Sequence, residues 1–263
     1  MTSAPPPTDV VQALQPMVLE PGSGLSPLLL MVPHIDEPES GAISEAVELG
    51  LRYGERGTHT SRTMMLGELD ALLHTVSSGS SRPAYTEAIA DDNALGKRTV
   101  SSRQLTGQRL RELYALDPEV PLFRALRRAW DIDPEGRPLL ALLAAAARDP
   151  LLRSTAGSVL DLPRGADFDR QRMAEAIRAA VGDRLGASTL DKVVRNAGSS
   201  WTQSGHLCGR VKKVRITPRA TPATAAFAAW LGYAEGARGE GLLTTRWARM
   251  LDRSRSEILD LML

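Results

Sequence analysis

The stretch PLLALLAAAA, from Pro138 to Ala147, decides the fold because its residues are apolar on every side of a helix. A helix with a single apolar stripe lies at a protein surface, whereas one that is apolar all round is buried among other elements. Ala and Leu favour helix, and the run is only half the length that spans a bilayer. The stretch therefore predicts a central helix inside a helical bundle.

Amphipathic segments flank this central stretch on both sides. Leu69, Leu72 and Leu73 recur at spacings of three and four, which places them on one helix face. The same spacing recurs in six further segments: 105–114, 120–130, 173–181, 190–201, 223–231 and 242–251. Of the 263 residues, 43% are hydrophobic but only 4% are aromatic, so Leu and Ala must supply most of the core. The chain is predicted to be mostly α.

Composition and turn residues divide the chain into four predicted regions. Residues 1–60 are rich in Pro, Gly and Ser and predict a largely irregular arm, with one short helix over 42–53. Residues 61–165 predict the helical bundle, 166–219 a helix-turn-helix or winged-helix-like unit with a short β-hairpin, and 220–263 the C-terminal helices. The apolar stripes of residues 220–263 could pack either on the rest of this chain or on a partner chain, and the sequence does not decide between the two.

The sequence contains none of the common catalytic motifs. It lacks GxxxxGK[ST], GxSxG, HExxH and GxGxxG, and its four histidines are scattered. The acidic pairs Asp131/Asp133 and Asp167/Asp169 stand at helix boundaries, where Asp favours caps and turns. A metal-dependent nuclease built on these pairs is the weaker alternative. We therefore predict no catalytic residue, no metal and no cofactor, and we expect no membrane contact because no apolar run is long enough.

The single cysteine, Cys208, cannot form an intrachain disulfide, which is typical of proteins in the reducing cytoplasm. Free cysteines are usually buried, so Cys208 is predicted to behave as a half-buried, small apolar residue. A catalytic thiol beside His206 is the weaker alternative, because residues two apart on a strand share a face.

Charge is segregated along the chain although the net charge is only +1. No Asp or Glu occurs between Lys192 and Ala234, a stretch whose predicted contact residues are Lys192, Arg195, Arg210, Lys212, Lys213, Arg215 and Arg219. A helix, a glycine-containing turn and a basic β-branched strand follow in the order of the last part of a winged helix. We predict that these residues contact duplex DNA phosphates; the alternative is a solvated basic edge strand.

A second basic cluster lies in GKRTVSSRQLTGQRLR, residues 96–111, which contains no acidic residue. Its candidate DNA contacts are Lys97, Arg98, Ser101, Ser102, Arg103 and Arg109. Ser101 or Ser102 is predicted to cap a helix, whose free N–H groups would suit a phosphate. The alternative is a helix that carries ordinary surface arginines. Scarce aromatic residues favour duplex over single-stranded nucleic acid, which is bound by base stacking.

The second cluster also resembles a known family. The stretch DNALGKRTVSSRQLTGQRLRELYALD carries the matching residues, which are Asn93, Leu95, Arg98, Thr99, Ser101, Ser102, Arg103, Arg109, Leu110 and Leu113. It resembles the BrxA family, accessory proteins of the bacterial BREX phage-defence system, and the resemblance extends over residues 62–207. The resemblance implies an all-α body similar to the antitermination factor NusB, helix-turn-helix character, double-stranded DNA binding and no catalysis.

Charge and resemblance together predict a cytoplasmic accessory protein of a BREX-type anti-phage system that binds duplex DNA mainly through phosphates. Two alternatives stay open. One is a protein–protein adaptor of the defence complex, whose partners would be other defence proteins or a second copy of the chain. The other is an RNA-binding module of the NusB type. An enzyme is the weakest of the alternatives.

Overall fold

The computed structural model describes residues 40–263, and its predominance of α-helix confirms the mostly α prediction. The α-helices of this part are α1 (Ser40–Glu48), α2 (Leu66–Thr75), α3 (Arg82–Ala90), α4 (Val100–Tyr114), α5 (Pro121–Ile132), α6 (Arg137–Arg148), α7 (Pro150–Ser154), α8 (Ala156–Leu160), α9 (Arg170–Val181), α10 (Ala187–Gln203), α11 (Pro222–Ala234), α12 (Arg246–Arg249) and α13 (Arg255–Met262). Strands β1 (Leu207–Cys208) and β2 (Val214–Arg215) pair antiparallel as the predicted hairpin. Short 3-10 turns lie at Thr58–Thr60, Gly182–Arg184 and Gly239–Thr244.

Helix α6 lies at the centre of the bundle. Every residue from Leu139 to Ala147 is buried, which confirms the prediction from the apolar run. Helices α4, α5, α7, α10 and α11 pack around it. Its alanines let neighbouring helices approach closely, while its leucines fill the space between them. Among residues 40–263, no helix is both long and apolar enough to cross a membrane.

The predicted irregular arm is too long at its C-terminal end. Helix α1 packs against α11, and the backbone N–H of Arg52 donates to the carbonyl of Ala147 at 2.9 Å. The predicted helix over 42–53 ends early because Gly50 adopts a φ of +105° and turns the chain toward α6. Residues 50–57, GLRYGERG, then form a loop with three glycines, which we call the glycine loop. Residues 1–39, the rest of the predicted arm, lie outside the described part.

The C-terminal helices pack on the same core as the bundle. Trp247, Met250, Leu251 and Ile258 are buried and belong to the hydrophobic cluster that includes α6. Most of the apolar stripe that left a partner open is therefore covered by the chain itself. The predicted regions beyond residue 60 share one core and are not separately packed bodies.

Candidate anion-binding surfaces

The hairpin follows α10 directly and packs against its C-terminal end. The N–H of His206 donates to the carbonyl of Trp201 at 3.0 Å, and the Lys213 ammonium donates to Thr202 Oγ1 at 2.8 Å. Gly209 turns the chain with a φ of +100°, and a β-carbon there would overlap the backbone carbonyl of Lys212 across the turn. The hairpin tip, residues 209–212, consequently projects into solvent with three exposed side chains: Arg210, Val211 and Lys212.

Arg215 is not the DNA contact that the sequence predicted. Its side chain is 1% exposed and pairs with Asp252, Nη2 to Oδ1, at 2.9 Å. Its Nε donates to the carbonyl of Val159 at 3.0 Å, and its Nη1 donates to the carbonyls of His206 and Ile216. A guanidinium with these partners ties the hairpin to the C-terminal part of the fold. It has no donor to offer to a phosphate at the surface.

We call residues 192–234, which contain no Asp or Glu, the acid-free window. Several predicted cations of this window lie beside carboxylates that come from outside it. The exposed ion pairs are Lys212–Asp167 at 2.9 Å, Arg195–Asp191 at 3.1 Å and Arg219–Glu135. The window therefore lacks acid only along the sequence and not in space. Exposed ion pairs contribute roughly 0–1 kcal/mol and are screened by salt, so these cations can exchange a carboxylate for a phosphate.

Within the second cluster, several basic side chains contact groups of the protein itself, either on a neighbouring helix or within α4. The contacts are Lys97 Nζ to Glu68 Oε1 at 3.0 Å, Arg103 Nη1 to the carbonyl of Ala90 at 2.7 Å, and Arg109 Nη1 to Glu112 Oε2 at 2.7 Å. Lys97, Arg103 and Arg109 are all partly buried. This arrangement corresponds more closely to the alternative of ordinary helix arginines than to a continuous DNA-binding strip.

Helix α4 is capped by Thr99 and not by Ser101 or Ser102. Thr99 has an extended backbone, and its Oγ1 accepts the N–H of Ser102 at 3.1 Å. The prediction of the capping residue was wrong because two hydroxyl residues inside the first turn masked the one that precedes it. Ser101, Ser102 and Arg98 are exposed at this helix start.

Three cations among the predicted contact residues are exposed and have no protein partner within residues 40–263: Arg98, Lys192 and Arg210. Lys192 lies on the solvent face of α10. Arg195 follows it after about one helical turn and Ser199 after about two, on the same side of the helix. Arg210 lies on the hairpin tip. The cations that are available to an external anion therefore concentrate on α10 and the hairpin that follows it, with Arg98 separate at the start of α4.

A buried Ser–His–Asp network lies beside α10. His59 Nδ1 is 2.8 Å from Asp149 Oδ2, and His59 Nε2 is 2.8 Å from Ser200 Oγ. This is the connectivity of a hydrolase triad. All three residues are fully buried, however, at 0%, 1% and 0% exposure, so no substrate carbonyl could reach the serine.

The hydrogen bonds of this network give it a structural role. Ser200 Oγ accepts the N–H of Met64 at 2.8 Å and donates to the carbonyl of Asn196 at 2.9 Å. The second lone pair of the Ser200 hydroxyl is satisfied when His59 Nε2 donates to it. Burial alone would raise the pKa of Asp149, but the charge and hydrogen bonds of His59 and the N–H of Leu152 hold it below its ordinary value. The network fastens the turn at Thr58–Thr60 between α7 and α10.

Cys208 is exposed, so the prediction of a half-buried residue was wrong. The neighbouring His206 is buried, with Nδ1 2.8 Å from Ser204 Oγ and Nε2 2.9 Å from the carbonyl of Met250. Burial is the main reason that the pKa of His206 falls to about 3. A neutral imidazole with both nitrogens occupied cannot activate the thiol.

One member of each acidic pair caps a helix or a turn, as predicted, while Asp131 and Asp167 pair with Arg127 and Lys212. Asp169 Oδ1 accepts the N–H of Gln171 at 2.8 Å at the start of α9, and Asp133 Oδ1 accepts the N–H of Gly136 at 3.0 Å. In the described range, 40–263, no group of three or more His, Cys, Asp or Glu side chains is placed to hold a metal ion.

A cleft that the sequence did not predict lies beside the glycine loop. The cleft encloses about 890 Å³ between the glycine loop, the end of α4, the α6–α7 junction and the turn at Gly182–Arg184. Five arginines and two glutamates line it: Arg52, Arg56, Arg109, Arg148, Arg184, Glu55 and Glu112. We call it the arginine cleft. Two arginines between the glycines of GLRYGERG were its only sequence signal, and they fell in a stretch that was assigned to the arm.

Comparison with known proteins leaves the family of the chain open. The chain matches no protein-family model, and no curated protein matches it. The resemblance to the BrxA family therefore stays a prediction from residues 62–207. The functional proposal depends on that resemblance and on the geometry of the surfaces described above.

Proposed function

We propose that the protein binds duplex DNA through phosphate contacts, as an accessory protein of a BREX-type phage-defence system. The observation that carries the DNA-binding part is the succession of α9, α10 and the hairpin, with exposed and unpaired cations on both α10 and the hairpin tip. The defence role is supported only by the resemblance of residues 62–207 to the BrxA family.

The arrangement of α10 and the hairpin suits a groove and its phosphates. Lys192, Arg195 and Ser199 follow one another at steps of three and four residues, so they share one face of α10. Helix α9 packs against α10, as the first helix of a helix-turn-helix does. In winged-helix proteins the second helix enters the major groove and the hairpin lies along the backbone. Ser and Thr hydroxyls are suitable phosphate donors.

The electrostatics predict modest binding that depends strongly on salt. The chain as a whole is close to neutral, so attraction to DNA must come from this local concentration of charge. In the part of the chain that the structure describes, Lys192 and Arg210 have no partner to lose, whereas Lys212 and Arg195 must first exchange an exposed carboxylate. Binding through phosphates, with few base contacts, predicts little preference for sequence.

The test is charge reversal at the two unpaired cations. We expect the double variant Lys192→Glu/Arg210→Glu to weaken binding to a labelled DNA duplex by roughly tenfold or more, measured by fluorescence anisotropy. The matched control is Arg128→Glu/Arg255→Glu, which reverses two exposed arginines on α5 and α13 and changes the net charge equally. The control should bind almost as well as the wild type.

The same assay separates the alternatives. Equal loss in both double variants would show that net charge and not this surface attracts DNA, which contradicts the proposal. Tighter binding to an RNA duplex of the same sequence would favour the RNA-binding alternative. Absence of binding to either nucleic acid would leave the adaptor role as the better proposal.

A further inference from the structure

We propose that the arginine cleft binds a phosphate monoester, carried either by a free nucleotide or by the 5′ end of a nucleic-acid strand. This goes beyond the proposed duplex binding, because the cleft uses neither Lys192 nor the hairpin. The cleft volume of about 890 Å³ lies within the range of small-molecule sites.

Several arginine nitrogens in the cleft are free to bind a ligand. Within residues 40–263, Arg56 has no hydrogen-bond or ion-pair partner. Arg109 uses only Nη1, toward Glu112, and Arg52 uses only Nη1, toward the carbonyl of Glu112. The remaining nitrogens of these forks match the paired oxygens of a phosphate, which guanidinium binds in a bidentate manner.

Arg148 contributes a positive charge that no carboxylate among residues 40–263 neutralises. Its nitrogens donate to the carbonyls of Gly50, Arg111 and Glu112, which hold the guanidinium in place. Burial, followed by repulsion from Arg52, lowers the pKa of Arg148 to about 10. An anion between these two arginines would relieve a repulsion that the fold otherwise sustains.

The two glutamates of the cleft are already occupied. Glu112 accepts from Arg109, from Thr58 Oγ1 at 2.9 Å and from Gln108 Nε2 at 3.1 Å, while Glu55 pairs with Arg184 at 3.0 Å. Five cations against two engaged carboxylates leave the cleft positive. A phosphate monoester carries up to two negative charges and three terminal oxygens. It therefore neutralises the excess positive charge of the cleft better than a singly charged diester.

The backbone of the glycine loop adds further donors. Gly54 adopts a φ of +96°, and no β-carbon could be accommodated at Gly57 without displacing the Asp149 carboxylate. The N–H groups of Gly54, Glu55 and Arg56 have no acceptor within the part of the chain that the structure describes. Consecutive unpaired N–H groups in a turn are a recurrent feature of phosphate-binding loops.

The test measures binding of AMP to the full chain by isothermal titration calorimetry, with adenosine as the ligand that lacks the phosphate. We expect AMP to bind and adenosine not to bind. Arg56→Gln should weaken AMP binding about tenfold, as expected for loss of one charge-assisted contact, and Arg56→Lys should fall between the two. Arg128→Gln is the charge-matched control and should not change the affinity. Arg56 has no partner among the described residues, 40–263, so circular dichroism should show both Arg56 variants folded.

A second arm distinguishes the source of the phosphate. In the Lys192→Glu/Arg210→Glu background, a 5′-phosphorylated DNA strand is compared with its 5′-hydroxyl counterpart. AMP binding without a gain from the 5′-phosphate assigns the cleft to free nucleotides, and a gain without AMP binding assigns it to strand ends. Failure of both, or equal affinity for AMP and adenosine, overturns the proposal. Neither result depends on whether the α10 surface binds duplex DNA.

Discussion

Replacement of Arg215 by Met distinguishes a structural cation from a DNA contact. The guanidinium is buried and pairs with Asp252, while its other nitrogens donate to the carbonyls of Val159, His206 and Ile216. Met fills a similar volume but restores none of these contacts. The substitution leaves the half-buried carboxylate of Asp252 without its closest cation and removes the side-chain donor of three carbonyls, although those of Val159 and His206 keep a backbone N–H donor.

The expected cost is large because the pair is broken on one side only. Removal of one partner from a buried ion pair destabilises a protein by about 3–5 kcal/mol. A domain is typically stable by about 5–15 kcal/mol, so a substantial share of the stability would be lost. At about 2–4 °C per kcal/mol for a large domain, the melting temperature should fall by roughly 6–20 °C.

Urea unfolding at neutral pH measures this cost, with the fluorescence of the buried Trp201 and Trp247 as the signal. The matched control is Arg210→Met on the exposed hairpin tip, which should change the free energy of unfolding by less than about 0.5 kcal/mol. An Arg215→Met variant with wild-type stability and lost DNA binding would refute the structural assignment and restore the original prediction.

Three further predictions concern the buried polar groups. Because burial lowers the pKa of His206 to about 3, the folded state resists a proton that the unfolded state accepts. The free energy of unfolding should therefore fall as the pH drops below about 6.5, by up to ~1.4 kcal/mol per pH unit. In urea titrations, His206→Gln should flatten that slope. Because the pKa of Asp149 is lowered, its carboxylate stabilises the fold above about pH 4 and less below it. The difference in free energy of unfolding between wild type and Asp149→Asn should therefore shrink in acid. A constant difference down to pH ~3 would contradict the ion-pair assignment. Gly57→Ala should cost about 1–3 kcal/mol because its methyl would overlap the Asp149 carboxylate, whereas Gly67→Ala, in open space on α2, should stabilise by about 0.5–1 kcal/mol; equal melting shifts would contradict this.

The central helix was the feature that the sequence predicted best. An apolar run such as Leu139–Ala147 can be satisfied only by burial on all sides, so a local pattern determined its tertiary environment. The hairpin was also predicted, from the β-branched residues Val211, Val214 and Ile216 among Lys and Arg, although only Val214 of these lies in a strand. Both inferences depend on short segments whose environment follows from their own composition.

Local composition could not predict which basic residues are exposed and which pair with carboxylates of distant segments. Asp167 and Glu135 approach the acid-free window through space from other regions, and Asp252 draws Arg215 into the interior. Ion pairs between distant segments depend on the packing of the whole chain. A window without acid therefore predicts basic sequence but not basic surface.

The arginine cleft was missed for a related reason. Its arginines come from four separate segments, and those in the glycine loop lie in a region rich in Gly and Glu that has little periodicity. The packing of the glycine loop against α6, through the bond from Arg52 N to the carbonyl of Ala147 and the contact of Arg148 with the carbonyl of Gly50, helps to bring them together. Such a site arises from topology and leaves no motif of regular spacing.

The salt dependence of duplex DNA binding tests the central proposal most directly. We predict a linear fall of the logarithm of the binding constant with the logarithm of salt concentration, between about 50 and 200 mM, at about −0.9 per phosphate neutralised. Lys192→Gln/Arg210→Gln should reduce the magnitude of that slope by about 1.8, because two phosphate contacts are removed. A flat response in the wild type, or an unchanged slope in the double variant, would contradict DNA binding by α10 and the hairpin.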